Sequence, residues 1–168
     1  TGGARLAASC ARITAPVALG DMLAYPPNAR NMHYWPIATA PVAAPPTRRD
    51  TLRIAHAPNH THFKGSAYLE ATIEKLRREG APIAYVKVQG RPNTEVIDIF
   101  RDADLVADQF IGGAYGYTAL EAMALGKPVL SYVRSADLVE AAQECPLINV
   151  TPDTLEITLR WCLANRDR

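Results

Sequence analysis

The chain has few cysteines, no excess charge of one sign and no long hydrophobic run, and each absence excludes something. Its three cysteines, Cys10, Cys145 and Cys162, are odd in number, widely spread and in no C-x-x-C arrangement. That usage argues against a disulfide framework or a zinc ribbon and makes a reducing cytoplasm the expected compartment. A net charge of +1 over 168 residues advertises neither nucleic acid nor an anionic membrane surface as partner. No apolar stretch approaches the roughly 20 residues that span a bilayer, so no transmembrane segment is expected. The opening Thr1-Gly2-Gly3-Ala4-Arg5 is followed by no long apolar region of a signal peptide. It also lacks an initiator methionine, so a processed, truncated or fragmentary chain is expected.

What is present is ordinary for a globular protein: 48% hydrophobic and 21% charged residues, in a length suited to one domain. Seven of the thirteen prolines lie before Asp50, which disfavours long regular elements there. That region, 1–50, reads as a Pro-rich stub with a short strand at 12–15, a short helix at 17–24 and an extended linker at 41–50. From 51 to 168 strands and helices alternate. Strands are expected at 52–55, 83–88, 105–107, 129–133 and 147–150, and helices at 66–79, 94–103, 118–125, 135–144 and 152–165. Such alternation means βαβ units and a parallel sheet with helices on both faces, an α/β Rossmann-like fold.

In such sheets ligands bind beyond the carboxyl ends of the strands, and two loops there look suited to an anion. The first, from His56 to Gly65, follows a strand and ends in Lys64-Gly65 at the mouth of a helix. Unpaired N–H groups and a lysine at a helix start suit a diphosphate; a polar loop with a solvated lysine is the plainer alternative. The second loop, Gly112-Gly113-Ala114-Tyr115-Gly116-Tyr117, also runs into a helix, with glycines that let backbone approach a ligand. Glu121, one turn in, can accept two hydrogen bonds from a ribose diol. Thr118-Ala119-Leu120-Glu121 equally reads as a capping box, and both roles stay open.

The run GAYGYTALEAMALGKPVL, residues 113–130, resembles the signature of family 4 (group 1) glycosyltransferases, E-x-F-G-x-x-x-x-E-A-M-A-x-G-x-P-V, from Tyr115 to Val129. Lys64-Gly65 falls at the family's K-G position, and Ala103-Asp104-Leu105-Val106 is similar to its usual strand entry. The resemblance covers residues 51–168 and implies the donor-binding, C-terminal half of a GT-B fold. Lys64 would then contact the donor diphosphate and Glu121 the ribose. The backbone of Gly116, Tyr117 and Thr118 would lie along the phosphates and sugar. Gly65, His56 and Asn59 would belong to the phosphate loop, and Gln89 and Gly90 would border the nucleobase.

Two positions depart from the pattern. Its first glutamate is Gly113 here, and the usual G-R before K-G is replaced by the loop His56 to His62. A protonated histidine beside the diphosphate would substitute for that arginine. No carboxylate or thiolate accompanies His56, His60 and His62 at ligand spacing, so neither a metal nor any cofactor other than the donor nucleotide sugar is expected. Catalytic residues are not assignable from the sequence.

The stub at 11–16 resembles the last strand of the family's N-terminal half, and 32–36 its crossing segment. The implied partners are therefore a nucleotide sugar and either a missing N-terminal half or a second copy, since a stub strand leaves an exposed edge. Three functions compete: a retaining glycosyltransferase, a non-catalytic nucleotide-sugar-binding module that needs a partner chain, and a sugar-nucleotide epimerase. The base, the sugar and the acceptor cannot be named from the sequence.

Overall fold

The computed structural model describes residues 49–136 and 145–166, together with the backbone of 17–18 and 30–31. The last two are short strands, β1 (Val17–Ala18) and β2 (Arg30–Asn31), paired in parallel. Val17 and Ala18 are thus extended where a helix over 17–24 is expected. A β-branched residue next to Pro16 and a pairing partner thirteen positions on outweigh local helix propensity there. The expected strand at 12–15, the crossing segment at 32–36 and residues 137–144 of the expected helix lie outside the described residues.

The main sheet contains β3 (Leu52–His56), β4 (Ile83–Lys87), β5 (Leu105–Ala107), β6 (Val129–Ser131) and β7 (Leu147–Asn149). All pairings are parallel and the spatial order is β4-β3-β5-β6-β7. The helices are α1 (Thr61–Lys64), α2 (Ser66–Arg78), α3 (Asn93–Asp102), α4 (Tyr117–Ala124) and α5 (Leu155–Ala164). The loop expected over 56–65 therefore differs at two points. His56 closes β3, and Thr61–Lys64 forms one helical turn that Gly65 ends with φ of 70°.

The period-2 alternation of the strands divides the core into two layers. Leu52, Ile54, Leu105, Ala107 and Leu130 face α2 and α5, where Leu69, Ile73, Leu76, Leu155 and Leu159 cover them. Ala55, Val106 and Val129 face the other way, against Ile97, Phe100, Ala119, Ala122 and Leu125 of α3, α4 and the turn after α4. Both faces of the central strands β3, β5 and β6 are therefore mostly dry, which is why those strands are largely apolar. The structure is an α/β Rossmann-like domain.

The strand order positions the site. From β3 the chain moves outward to β4, then returns past β3 to β5, so the direction of winding reverses between β3 and β5. A crevice opens beyond the carboxyl ends of those two strands because their following connections leave on opposite sides. The opposite end of the sheet is tied by charge. Asp102 accepts from Arg49 and Arg53, and Asp104 Oδ2 accepts from the Arg53 N–H at 2.8 Å.

Candidate functional site

Two loops meet at the switch point. The one after β3 runs through α1 to Lys64, and the one after β5 begins with Asp108, Gln109 and Phe110. The Phe110 N–H donates to the Lys64 carbonyl at 3.0 Å, which stitches the loops together. Gly65 permits this closeness. A Cβ there would lie 3.1 Å from Ile111 and 3.2 Å from Phe110, at a φ that side chains rarely adopt.

The centre of the crevice is an ion pair. Lys64 Nζ donates to Oδ1 of Asp108, whose side chain is fully buried, while Lys64 keeps 17% of its side-chain surface. The other carboxylate oxygen accepts the Gly116 N–H at 2.8 Å. Lys64 lies close against the backbone, because a Cβ at Gly116 would fall 3.4 Å from Nζ and 3.8 Å from both Asp108 oxygens. Asp108 thus holds together a cation from one loop and the start of α4 from the other. Such charge-assisted bonds are among the stronger ones a protein makes.

Gln109, also buried, shapes the glycine loop. Its amide nitrogen donates to the carbonyls of Ala114 and Tyr132, and its oxygen accepts from the Ile111 and Gly112 N–H groups. One side chain in this way satisfies four backbone groups that a wide loop would otherwise leave open. Gly113 takes φ of 76° and is buried against Tyr132 and Arg134.

The residues proposed from the sequence divide between this crevice and other places. Lys64, Gly65, Gly116, Tyr117 and Thr118 are gathered at it. The N–H groups of Tyr117 and Thr118 open α4 and have no acceptor inside the helix, whereas the Gly116 N–H belongs to Asp108. Gln89 is exposed and donates to the Pro58 carbonyl at 3.2 Å, which joins the loop after β4 to the loop after β3. A cavity of about 410 Å³ lies beside Gln89, bordered by Lys87, Val88 and Arg91. Gly90 is exposed, with φ of 64° and open space around it. Asn59 is exposed and accepts from the His60 N–H.

His56 faces inward. Its Nδ1 lies 2.9 Å from the Ala107 carbonyl and its Nε2 2.7 Å from the Ser66 hydroxyl, with no exposed surface. A carbonyl only accepts, so Nδ1 carries the proton and Nε2 accepts from Ser66. Burial holds this imidazole below the ordinary histidine range, and the Lys64 charge adds to the effect. A neutral, enclosed ring cannot stand in for a diphosphate-binding arginine; His56 instead ties β3, β5 and the start of α2 together. His60 and His62 are exposed and lie edge-on to Phe63. Among the described residues no group of three or more potential ligands is arranged to hold a metal ion.

The capping box is not formed. The helix α4 begins at Tyr117 with Gly116 as its N-cap, and no side chain caps it. The Gly116 carbonyl already accepts the Ala119 and Leu120 N–H groups, so Thr118 lies within the first turn. Glu121 instead accepts from the Asn93 amide at 2.8 Å, across to the first residue of α3. It stays half-buried beside the loop that follows β4.

Asp108, Gln109 and Ser66 are central here yet were not singled out from the sequence. The available signal was positional: Asp108 and Gln109 directly follow an all-apolar triplet, Leu105–Ala107, where a central strand must end.

Fold and site together define a class, a doubly wound α/β domain with a polar crevice at its switch point. The chain matches no protein-family model, and no curated protein is significantly similar to it. Among the described residues no helix is long and apolar enough to cross a membrane.

Proposed function

We propose that this domain binds a nucleoside diphosphate sugar in the β3/β5 crevice and serves as the donor-binding part of a retaining glycosyltransferase. The observation that carries the reading is the Lys64–Asp108 pair set against Gly116 at the mouth of α4. A lysine held in place by a buried carboxylate loses little further freedom on meeting a phosphate, and the Tyr117 and Thr118 N–H groups add the partial charge of the helix start. Glu121 and Gln89 lie on the α3 side of the crevice, which suits a ribose and a base extending in that direction. Stabilising a departing diphosphate in this way is electrostatic catalysis, and the acceptor would come from outside these residues. The three scattered cysteines of the sequence suit a reducing, cytoplasmic setting.

The test is a titration of the chain with uridine, guanosine, adenosine and cytidine diphosphates by calorimetry. Saturable binding of at least one, weakened about ten-fold or more in Lys64→Met, is expected for a charge-assisted contact. No binding by any of the four would refute the reading. Sugar release from the matching donor, with and without an added N-terminal partner domain, then separates a complete enzyme from a binding module.

A further inference from the structure

The crevice is balanced electrostatically before any ligand arrives, since the Lys64 charge is already met by Asp108. The other cations along this end of the sheet are paired as well: Lys87 with Glu70 at 2.8 Å, and Arg91 with Glu95 at 3.0 Å. Arg134 differs. It follows β6 on the same carboxyl edge, its side chain is exposed, and among the described residues no carboxylate pairs with it. Its backbone is nonetheless fixed, because the Arg134 N–H donates to the Gly113 carbonyl at 2.9 Å.

The stem of Arg134 lies against the glycine loop. A Cβ at Gly113 would come within 3.2 Å of Arg134 Cβ, 3.8 Å of the Tyr132 ring and 4.0 Å of Arg134 Cδ. The missing side chain at Gly113 is what lets the arginine lie flat on the glycine loop, and Gln109 braces that same loop from beneath through Ala114 and Tyr132. The result is an exposed arginine whose stem rests on the loop that carries Gly116, in a neighbourhood where the other cations are already paired. An arginine so placed can grip a phosphate or a carboxylate through two parallel N–H bonds.

Resting on the donor-site reading above, we infer that Arg134 is a second anion-contacting residue of this site. Its partner is an anionic oxygen of the bound nucleotide sugar: a phosphate oxygen, or the carboxylate of an acidic sugar. A diphosphate brings more negative charge than an already paired lysine balances, and Arg134 supplies the difference.

The experiment measures binding of three ligands to the full chain: the nucleoside diphosphate that binds in the calorimetric screen, its neutral hexose ester and its uronic acid ester. Wild type is compared with Arg134→Ala, Arg134→Lys and Lys64→Met, after thermal melts confirm that each variant folds. A loss of about ten-fold or more for all three ligands in Arg134→Ala, with part of it restored by Arg134→Lys, assigns the arginine to phosphate. A loss confined to the uronic acid ester assigns it to the sugar carboxylate. Unchanged affinity for every ligand in Arg134→Ala, while Lys64→Met still weakens binding, overturns the inference and leaves the donor site standing. If no diphosphate binds the wild type, both fall together.

Discussion

Replacing Asp108 by alanine should destabilise the domain far more than a typical surface change. The carboxylate is fully buried, and its removal leaves Lys64, itself mostly covered, without a counter-charge. It also leaves the Gly116 N–H without its 2.8 Å acceptor. Breaking one side of a buried pair costs about 3–5 kcal/mol, and the orphaned N–H accounts for roughly 1–3 kcal/mol of that. Lys64 retains a path to water, which places the expected loss near the lower end, about 3 kcal/mol. Ser131 Oγ, at 3.5 Å from the carboxylate, is too distant to add much.

Urea denaturation of wild type, Asp108→Ala, Lys64→Met and the double variant measures this directly. The double variant should be less damaged than the sum of the single ones, because neither leaves an unpaired charge behind in it. A loss below about 1 kcal/mol for Asp108→Ala, or strictly additive singles, would show that the pair is solvated and does not organise the crevice.

Two further outcomes are expected. Because burial and the Lys64 charge hold His56 below its ordinary value in the fold, against the opposing pull of the Ala107 carbonyl, Asp108 and Glu70, the unfolded chain takes up a proton first as pH falls. Stability should therefore be full above the unfolded value of 6.5 and decline below it towards the lowered folded value, at up to about 1.4 kcal/mol per pH unit. Urea melts of wild type and His56→Gln between pH 5 and 8 check this; parallel profiles would exclude the buried imidazole as the cause. In the α3–α4 layer, Phe100 is completely buried, and Phe100→Ala should cost about 3–5 kcal/mol by the same denaturation measurement. A loss under about 1 kcal/mol would mean that this layer is loosely packed.

Much of the fold was legible because hydrophobic period is a local property. Leu69, Ile73 and Leu76 recur at helix spacing and do form the buried face of α2. The triplet Leu105–Ala107 is a strand at the expected bounds. Alternating strands and helices imply a parallel sheet whatever the details of its packing, since parallel neighbours need a crossover between them. Glycine punctuation was legible for the same reason: Gly80, directly after the helix expected over 66–79, takes φ of 91° just past the end of α2.

The site was only partly legible, because its contacts join residues distant in sequence. Lys64 was visible from its place before a helix, but its partner Asp108 lies 44 positions on and meets it only when β3 and β5 become neighbours. The same pairing turns His56 inward onto Ala107, 51 positions away, and removes it from the ligand side. Thr118 and Glu121 fit a capping box by spacing alone, but the helix starts at Tyr117 and Asn93 takes the Glu121 carboxylate. The glycine loop shows the division most clearly. The sequence by itself determined that Gly112 to Gly116 would bend and approach closely, since backbone freedom belongs to the residue type. Only the tertiary structure decided what it approaches: Lys64 across from Gly116, and Arg134 across from Gly113. Charge pairing acts through space and depends on which strands lie side by side.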